Sequence, residues 1–312
     1  MADPVLSAAR EAIGKGSRSF ALASRLFDSR TRVRATLLYA WCRHCDDVID
    51  AQWLGQGRHD WGGTPAERLA RLRRETERAL AGEAGPEPAF AALARVARET
   101  GLPHRYAHDL LDGFAMDVEG RPIADEAGLL RYCYHVAGCV GVMMAIVMGV
   151  SPQEHGTLAR ASDLGLAFQL NNIARDVAED AARGRCYLPA EWLAAEGLEP
   201  GRHMDPNRRD RLHRVVSRLV DLAERYEASA LHGLPRLRNR QAWAVLSAAH
   251  IYGDIGRKVR RGGPEALCVR AVTRRREQLM AVLLAAPEAW WTRRRGASTP
   301  ADRAGLWTPA FA

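Results

Sequence analysis

The chain of 312 residues is 47% hydrophobic and 26% charged, the proportions of a soluble globular protein with enough apolar mass for a large core and too much for a disordered chain. Its net charge of +8 is carried by arginine, since Lys15 and Lys258 are the only lysines. That balance suits an anionic partner without choosing among nucleic acid, membrane headgroups and a phosphorylated substrate.

Met1-Ala2-Asp3-Pro4 opens without the basic-then-apolar pattern of a signal peptide. Helical periodicity then dominates and strand-like alternation is nearly absent, which predicts an all-α fold. The candidate helices are 4–13, 18–26, 31–51, 65–81, 87–100, 104–118, 125–150, 152–178, 189–197, 207–231, 238–260 and 264–285. Glycine and proline clusters separate them, at Gly55-Gln-Gly57, Gly82 to Pro88, Gly120-Arg-Pro122, Gly184, Pro200-Gly201 and Gly262-Gly263-Pro264. No repeat or long linker divides the chain. The expectation is one domain over 1–290 and a loose tail over 291–312.

Gly14-Lys-Gly-Ser-Arg-Ser-Phe20 offers glycines, hydroxyls and two cations just before a helix, where backbone amides suit an anion. It lacks the order of a Walker A loop, and an ordinary helix cap is the alternative.

The segment Tyr39 to Asp50 carries the strongest early signal. At about 100° per residue, Tyr39, Arg43, Asp46 and Asp50 fall within roughly 60° of arc, with Asp47 at the margin. Leu37, Leu38, Trp41, Cys45, Val48 and Ile49 form the apolar back. Aspartates at i, i+4 repel one another, so such a face needs a cation. Mg2+ is hard, oxygen-seeking and held by few carboxylates together with substrate phosphates. A solvated acidic face is the alternative. Cys42 and Cys45 have no second pair at zinc spacing and read as small residues packed in a helix.

The longest apolar run, Val136 to Val150, is short of the roughly 18–20 residues that span a bilayer and holds Gly138, Gly141 and Gly149. It reads as a buried helix whose glycines admit either an alkyl chain or another helix. Farther on, Gln169, Asn172, Asp176 and Asp180 line a stripe about 80° wide, opposite Leu166, Leu170, Ile173 and Val177. An amide and two carboxylates in one column again suit a metal. If the two acidic faces share a cavity, they can hold several cations around one diphosphate and shelter a carbocation from water. Arg185 in Gly184-Arg-Cys-Tyr-Leu-Pro189 and Tyr252 in His250 to Arg260 are further candidates to reach a phosphate.

Together these stretches resemble the squalene and phytoene synthase family, over nearly the whole chain from Ser17 to about Val259. Ser17-Arg-Ser-Phe20 resembles its N-terminal phosphate motif, Asp46-Asp-Val-Ile-Asp50 its first aspartate-rich motif, and Tyr132 to Gly141 its Tyr-Cys-x-x-Val-Ala-Gly segment. Gln169 to Asp180, with Gly184 to Pro189 after it, resembles the second motif closely. The resemblance implies an isoprenoid-synthase helical bundle around a central cavity. It implies metal ligands at Asp46, Asp47, Asp50, Asn172, Asp176 and Asp180. It also implies diphosphate binding at Ser17, Arg18, Ser19, Arg43, Arg175, Arg185 and Tyr252. Catalytic work falls to Asp46, Asp50, Asp176, Asp180 and Tyr134, and a pocket forms at Phe20, Ser24, Val136, Gly138 and Gln169. The cofactor expected is Mg2+, with Mn2+ as a substitute.

The reaction implied is head-to-head condensation of two prenyl diphosphates through a cyclopropylcarbinyl diphosphate. Squalene synthases quench the final cation with NADPH, whereas phytoene and dehydrosqualene synthases lose a proton. Three features favour geranylgeranyl diphosphate without NADPH: no C-terminal membrane helix, His135 where squalene synthases have tyrosine, and the small Ser24 beyond Phe20. Farnesyl diphosphate is the alternative substrate. A non-catalytic helical assembly factor is the alternative of another class, although both acidic faces are intact. A terpene cyclase and a chain-elongating prenyltransferase would carry different second motifs, and no basic helix interleaved with aromatics supports nucleic acid. The expected location is cytoplasmic, with Arg274 to Arg276 and Arg293 to Arg295 able to touch anionic lipid at the inner membrane. The sequence leaves the oligomeric state open.

Overall fold

The structure, a computed structural model, describes residues 3–55, 57–294, 303–307 and 309, apart from the side chains of Arg18, Ser19, Arg293 and Arg294. Its helices are α1 Pro4–Gly16, α2 Arg18–Ser24, α3 Ser29–Asp50, α4 Pro65–Leu80, α5 Pro88–Thr100, α6 Arg105–Glu119, α7 Glu126–Cys133, α8 Cys139–Val147, α9 His155–Ala182, α10 Ala190–Ala195, α11 Arg209–Leu231, α12 Asn239–Arg261 and α13 Arg275–Arg294. Among the described residues there is no strand.

Local chemistry sets the helix ends. Asp28 caps α3 by accepting from the Thr31 amide at 2.9 Å, and Asp125 caps α7 by accepting from the Gly128 amide at 2.7 Å. Thr64 and Glu67 satisfy each other's backbone amides at the start of α4. Gly101 and Gly120 close α5 and α6 in the left-handed conformation, with φ of 64° and 63°.

The helix expected over 125–150 is interrupted by a π-helical turn, Tyr134–Gly138, between α7 and α8. One extra residue in that turn rotates every later position by about 100°, so a wheel drawn through it misassigns faces. The interruption lies where α9 crosses closely. A Cβ on Gly141 would stand 2.3 Å from the Ala161 carbonyl oxygen, and one on Gly165 would stand 2.3 Å from that of Ala137. The glycines of this run thus admit a neighbouring helix. By length and composition Glu126–Val147 could cross a membrane, yet 61% of its most apolar stretch is buried inside the bundle.

The helix expected over 264–285 also divides. A 3-10 turn covers Pro264–Cys268, an irregular stretch comes next, and α13 starts at Arg275. Glu277 fixes that start by accepting from the Arg274 amide at 2.6 Å and pairing with Lys258 at 2.7 Å. α13 runs through Arg294, past the boundary expected at 290. Beyond it, Arg303 Nε donates to the buried Asp163 carboxylate at 2.9 Å, and the Trp307 amide donates to the Tyr226 hydroxyl at 3.0 Å.

α9 is the central strut, packing against α8, α11, α12 and the π turn. Trp41, Tyr106 and Tyr226 are the largest side chains buried almost completely. Burying them, with the leucines around them, contributes on the order of 1.5–3 kcal/mol per side chain. That packing holds α3 and α9 in register.

Candidate active site

The C-terminal halves of α3 and α9 deliver their acids to one cavity of about 770 Å³. Asp46 and Asp50 reach it from α3, and Gln169, Asn172, Asp176 and Asp180 from α9. Lining residues on α9 extend from Thr157 to Asp180, about 35 Å at the helical rise. The end holding the aspartates is polar. Toward the start of α9 the walls become apolar, with Phe27, Met144, Met148, Leu234 and Leu237.

Six carboxylates (Asp46, Asp50, Asp117, Asp176, Glu179, Asp180) and six arginines (Arg43, Arg160, Arg175, Arg183, Arg185, Arg270) line the cavity. They interleave. Arg43 Nη1 pairs with Asp46, and Arg185 Nη2 donates to Asp50 at 2.9 Å. Arg175 Nε donates to Asp176 Oδ1 at 2.7 Å, and Arg270 Nε lies 3.2 Å from the same oxygen. Burial pushes the Asp46 carboxyl up to about 6; the neighbouring carboxylates of Asp50, Asp47 and Asp117 add to the rise and Arg43 opposes it. Asp180 is likewise pushed up to about 6, by burial and by Asp176, against Arg185 and Arg183.

Asp117, on α6, is a site residue that the sequence pattern does not single out. It accepts from Tyr187 Oη at 2.9 Å and Tyr132 Oη at 3.1 Å, and those two rings stack at 4.8 Å. Burial raises its carboxyl above the ordinary range. α6 carries Asp109, Asp112, Asp117 and Glu119, and nothing in their spacing marks which one enters the cavity. Arg270 is hidden for another reason, because it lies in the irregular stretch where a helix was expected.

Ser17, Phe20, Ser24, Arg43, Val136, Gln169, Arg175, Arg185 and Tyr252 also line the cavity. Ser17 caps α2 by accepting from the Phe20 amide at 3.3 Å. Phe20 stacks on Tyr39 at 5.1 Å, and Tyr252 on Phe168 at 4.3 Å. The buried Ser24 hydroxyl donates to the Ala21 carbonyl at 3.0 Å. The side chains of Arg18 and Ser19 lie outside the described residues.

Three expected residues stand elsewhere. Asp47 is buried and turned from the cavity, accepting from the amides of Leu54 and Gly55 at 2.8 Å each. It thereby holds a tight loop in which Ala51 and Leu54 take positive φ values of 54° and 52°. Tyr134 donates to Asp109 at 2.6 Å and does not line the cavity; Tyr132 does. Gly138 serves helix packing, since a Cβ there would lie 2.6 Å from Leu166 Cδ1. Both residues belong to the π turn. Asp109, Asp112 and His135 form a second compact group, but Asp112 is paired with Arg73 at 2.7 Å and the His135 ring nitrogen lies 2.8 Å from the Asp109 carbonyl.

A family model described as squalene/phytoene synthase matches residues 13–277. The chain belongs to the squalene/phytoene synthase family. Its relatives include a 15-cis-phytoene synthase of Pantoea ananas, 49% identical over 304 residues and covering 97% of each chain. Another 15-cis-phytoene synthase, from Paracoccus sp. (strain N81106 / MBIC 01143), is 47% identical over 308 residues, 99% of this chain and 98% of that one. Among solved structures, a dehydrosqualene synthase in complex with ligand has a TM-score of 0.81 at 25% identity, covering 92% of this chain and 97% of that one. Squalene synthase HpnC from Alicyclobacillus acidocaldarius shares the fold, with a TM-score of 0.72 at 24% identity over 83% and 94% of the two chains.

The family depends on a divalent metal, and the donors here suit one. Four aspartates from two helices reach one cavity. Asn172 Oδ1 is buried among them with no hydrogen-bond partner among the described residues. An orphaned amide oxygen beside carboxylates matches a hard, oxygen-seeking cation.

Proposed function

We propose that the chain condenses two geranylgeranyl diphosphates head to head, through a cyclopropylcarbinyl diphosphate, to 15-cis-phytoene, releasing two diphosphates and consuming no reductant. The observation that carries this reading is the meeting of two aspartate pairs, from α3 and α9, at the polar end of a long, otherwise apolar cavity. Near-full-length similarity to enzymes named 15-cis-phytoene synthase supports the product.

In this reading Asp46, Asp50, Asn172, Asp176 and Asp180 hold Mg2+. The metal neutralises charge that develops on a departing diphosphate. Arg43, Arg185, Arg175 and Arg270 now pair with three of these aspartates, Asp46, Asp50 and Asp176. With those carboxylates engaged by a cation, the guanidinium groups would be available to diphosphate oxygens, to which arginine bonds in bidentate fashion. The α2 amides near Ser17 add donors at the same end. Phe20, Val136, Phe168 and Gln169 line the wall beyond. That wall keeps water from the allylic cation and orients the second double bond toward its C1. In the first half-reaction a C–O bond breaks, the freed C1 bonds to one carbon of the second molecule's double bond, and loss of a proton from C1 lets it bond the other carbon and close the cyclopropane. In the second, the cyclopropylcarbinyl C–O bond breaks, the skeleton rearranges and a proton departs from the new central bond. Diphosphate, held by the arginines, is the base nearest to hand.

Matched incubations with twenty- and fifteen-carbon diphosphates, each with Mg2+ alone and with Mg2+ plus NADPH, test this reading. The expected outcome is a forty-carbon hydrocarbon from the twenty-carbon substrate at a rate indifferent to NADPH. A thirty-carbon product that requires NADPH would overturn it.

A further inference from the structure

α13 carries a feature that the chemistry leaves unused. Its inner face is seated on α12: Val282, Ala285 and Ala289 are buried, and Trp243 Nε1 donates to the Val282 carbonyl at 2.7 Å. Its outer face carries Leu279, Met280, Leu283, Leu284, Trp290 and Trp291, which are 44–65% exposed. Steps of three and four residues join the first four, and the exposed Pro287 bridges them to the two tryptophans, giving one stripe about 18 Å long. No charged residue interrupts it, because Glu288, at its edge, pairs with His250 at 3.1 Å. Exposed Arg275 and Arg276 stand at one end and have no ion pair among the described residues. The two tryptophans stand at the other. The stretch leading into α13 adds Val269 and Val272, 71% and 64% exposed, on either side of the cavity-lining Arg270.

We infer that this stripe docks on an anionic lipid bilayer, α13 lying in the plane of the headgroups. Leucine, methionine and tryptophan suit the headgroup–acyl boundary, where an aromatic ring has one apolar side and one wet side. The unpaired arginines and the net charge of +8 complement anionic headgroups. A cationic end beside an apolar stripe matches an anionic headgroup layer over an acyl layer, whereas in a second copy of this chain, which carries the same net charge of +8, it would meet like charge. Docking there places the Arg270 stretch, part of the cavity wall, next to the hydrocarbon phase.

Flotation of the full chain with phosphatidylcholine vesicles, with and without phosphatidylglycerol, tests the inference. The variants are Leu283→Glu/Leu284→Glu and Arg275→Glu/Arg276→Glu, all at exposed positions, with thermal midpoints as the check on folding. The wild type is expected to float with the anionic vesicles, more weakly as salt rises. The leucine variant should lose tenfold or more of that binding and the arginine variant several-fold, while turnover of detergent-dispersed substrate stays unchanged in both. Equal flotation of wild type and leucine variant, or no flotation of the wild type, overturns the inference. So does a wild-type dimer that becomes monomeric in the leucine variant without any vesicle binding, which would assign the stripe to a second copy. The readout is lipid partition, so it fails or holds independently of which prenyl diphosphate the cavity takes.

Discussion

Arg185 Nη2 lies 2.9 Å from Asp50 Oδ1, across 135 residues of sequence. This bond ties the segment after the second acidic helix to the last turn of the first. Arg185→Ala is expected to leave the fold intact and to lower kcat/KM by about 10²-fold, the loss typical of removing one donor to a developing oxyanion. Arg185→Lys should recover only part, because lysine lacks the planar fork. Steady-state kinetics alongside a thermal melt checks both.

Asp46 and Asp47 are neighbours that face opposite ways, one into the cavity and the other into a loop. Asp47→Ala removes the acceptor of two amides in a strained loop and should cost about 1–3 kcal/mol for each buried donor left unpaired. Asp46→Ala removes a carboxyl already pushed up by burial, and should leave stability nearly unchanged while abolishing turnover. Chemical denaturation and activity assays on both variants separate the roles; similar stability losses in the two would contradict the assignment.

Gly165→Ala should destabilise the protein by about 1–3 kcal/mol, since the new Cβ meets backbone of the π turn and cannot be relieved by a rotamer change. Gly156→Ala, on the same helix with nothing within 4 Å of its Cβ, should instead stabilise by up to about 1 kcal/mol. Thermal midpoints of the two variants are expected to move in opposite directions.

Acid should weaken the fold through its buried histidines. Burial pushes His44 down to about 4 from the ordinary 6.5, and lowers His203 as well. A folded-state pKa below the unfolded one means that the unfolded chain takes up the proton first. The stability lost is therefore nil above pH 6.5 and grows as pH falls toward 4, reaching about 3 kcal/mol for His44. The stability difference between wild type and His44→Gln, measured by denaturation at several pH values, should shrink or reverse in that window.

Chain length is expected to depend on Ser24. It is small and buried and lines the cavity beyond Phe20. Ser24→Phe should shift preference from the twenty- to the fifteen-carbon diphosphate, read as the ratio of products from an equimolar mixture. An unchanged ratio would remove Ser24 from the determinants of length.

Helix geometry accounts for the parts of the site that are legible in the sequence. α3 and α9 are regular, so a rotation of about 100° per residue places Arg43, Asp46 and Asp50 together, and Asn172, Asp176 and Asp180 together. Tyr134 and Gly138, expected from the resemblance and not from periodicity, fall in a π turn that nothing in the sequence pattern announces. Asp47 sits at the margin of its face, and its partners are amides seven and eight residues on, in a loop whose path depends on tertiary contacts. Asp117 and Arg270 reach the cavity from a helix and an irregular stretch that carry no motif, so only the assembled bundle reveals them.

The central claim is that the two acidic faces act together on a twenty-carbon diphosphate. It is tested most directly by incubating purified wild type, Asp46→Ala and Asp176→Ala with geranylgeranyl diphosphate and Mg2+, without NADPH, and analysing the hexane extract by mass spectrometry. A forty-carbon hydrocarbon is expected from the wild type and none from either variant, though both remain folded. A forty-carbon product that survives the loss of either aspartate, or a folded wild type that makes none, would contradict it.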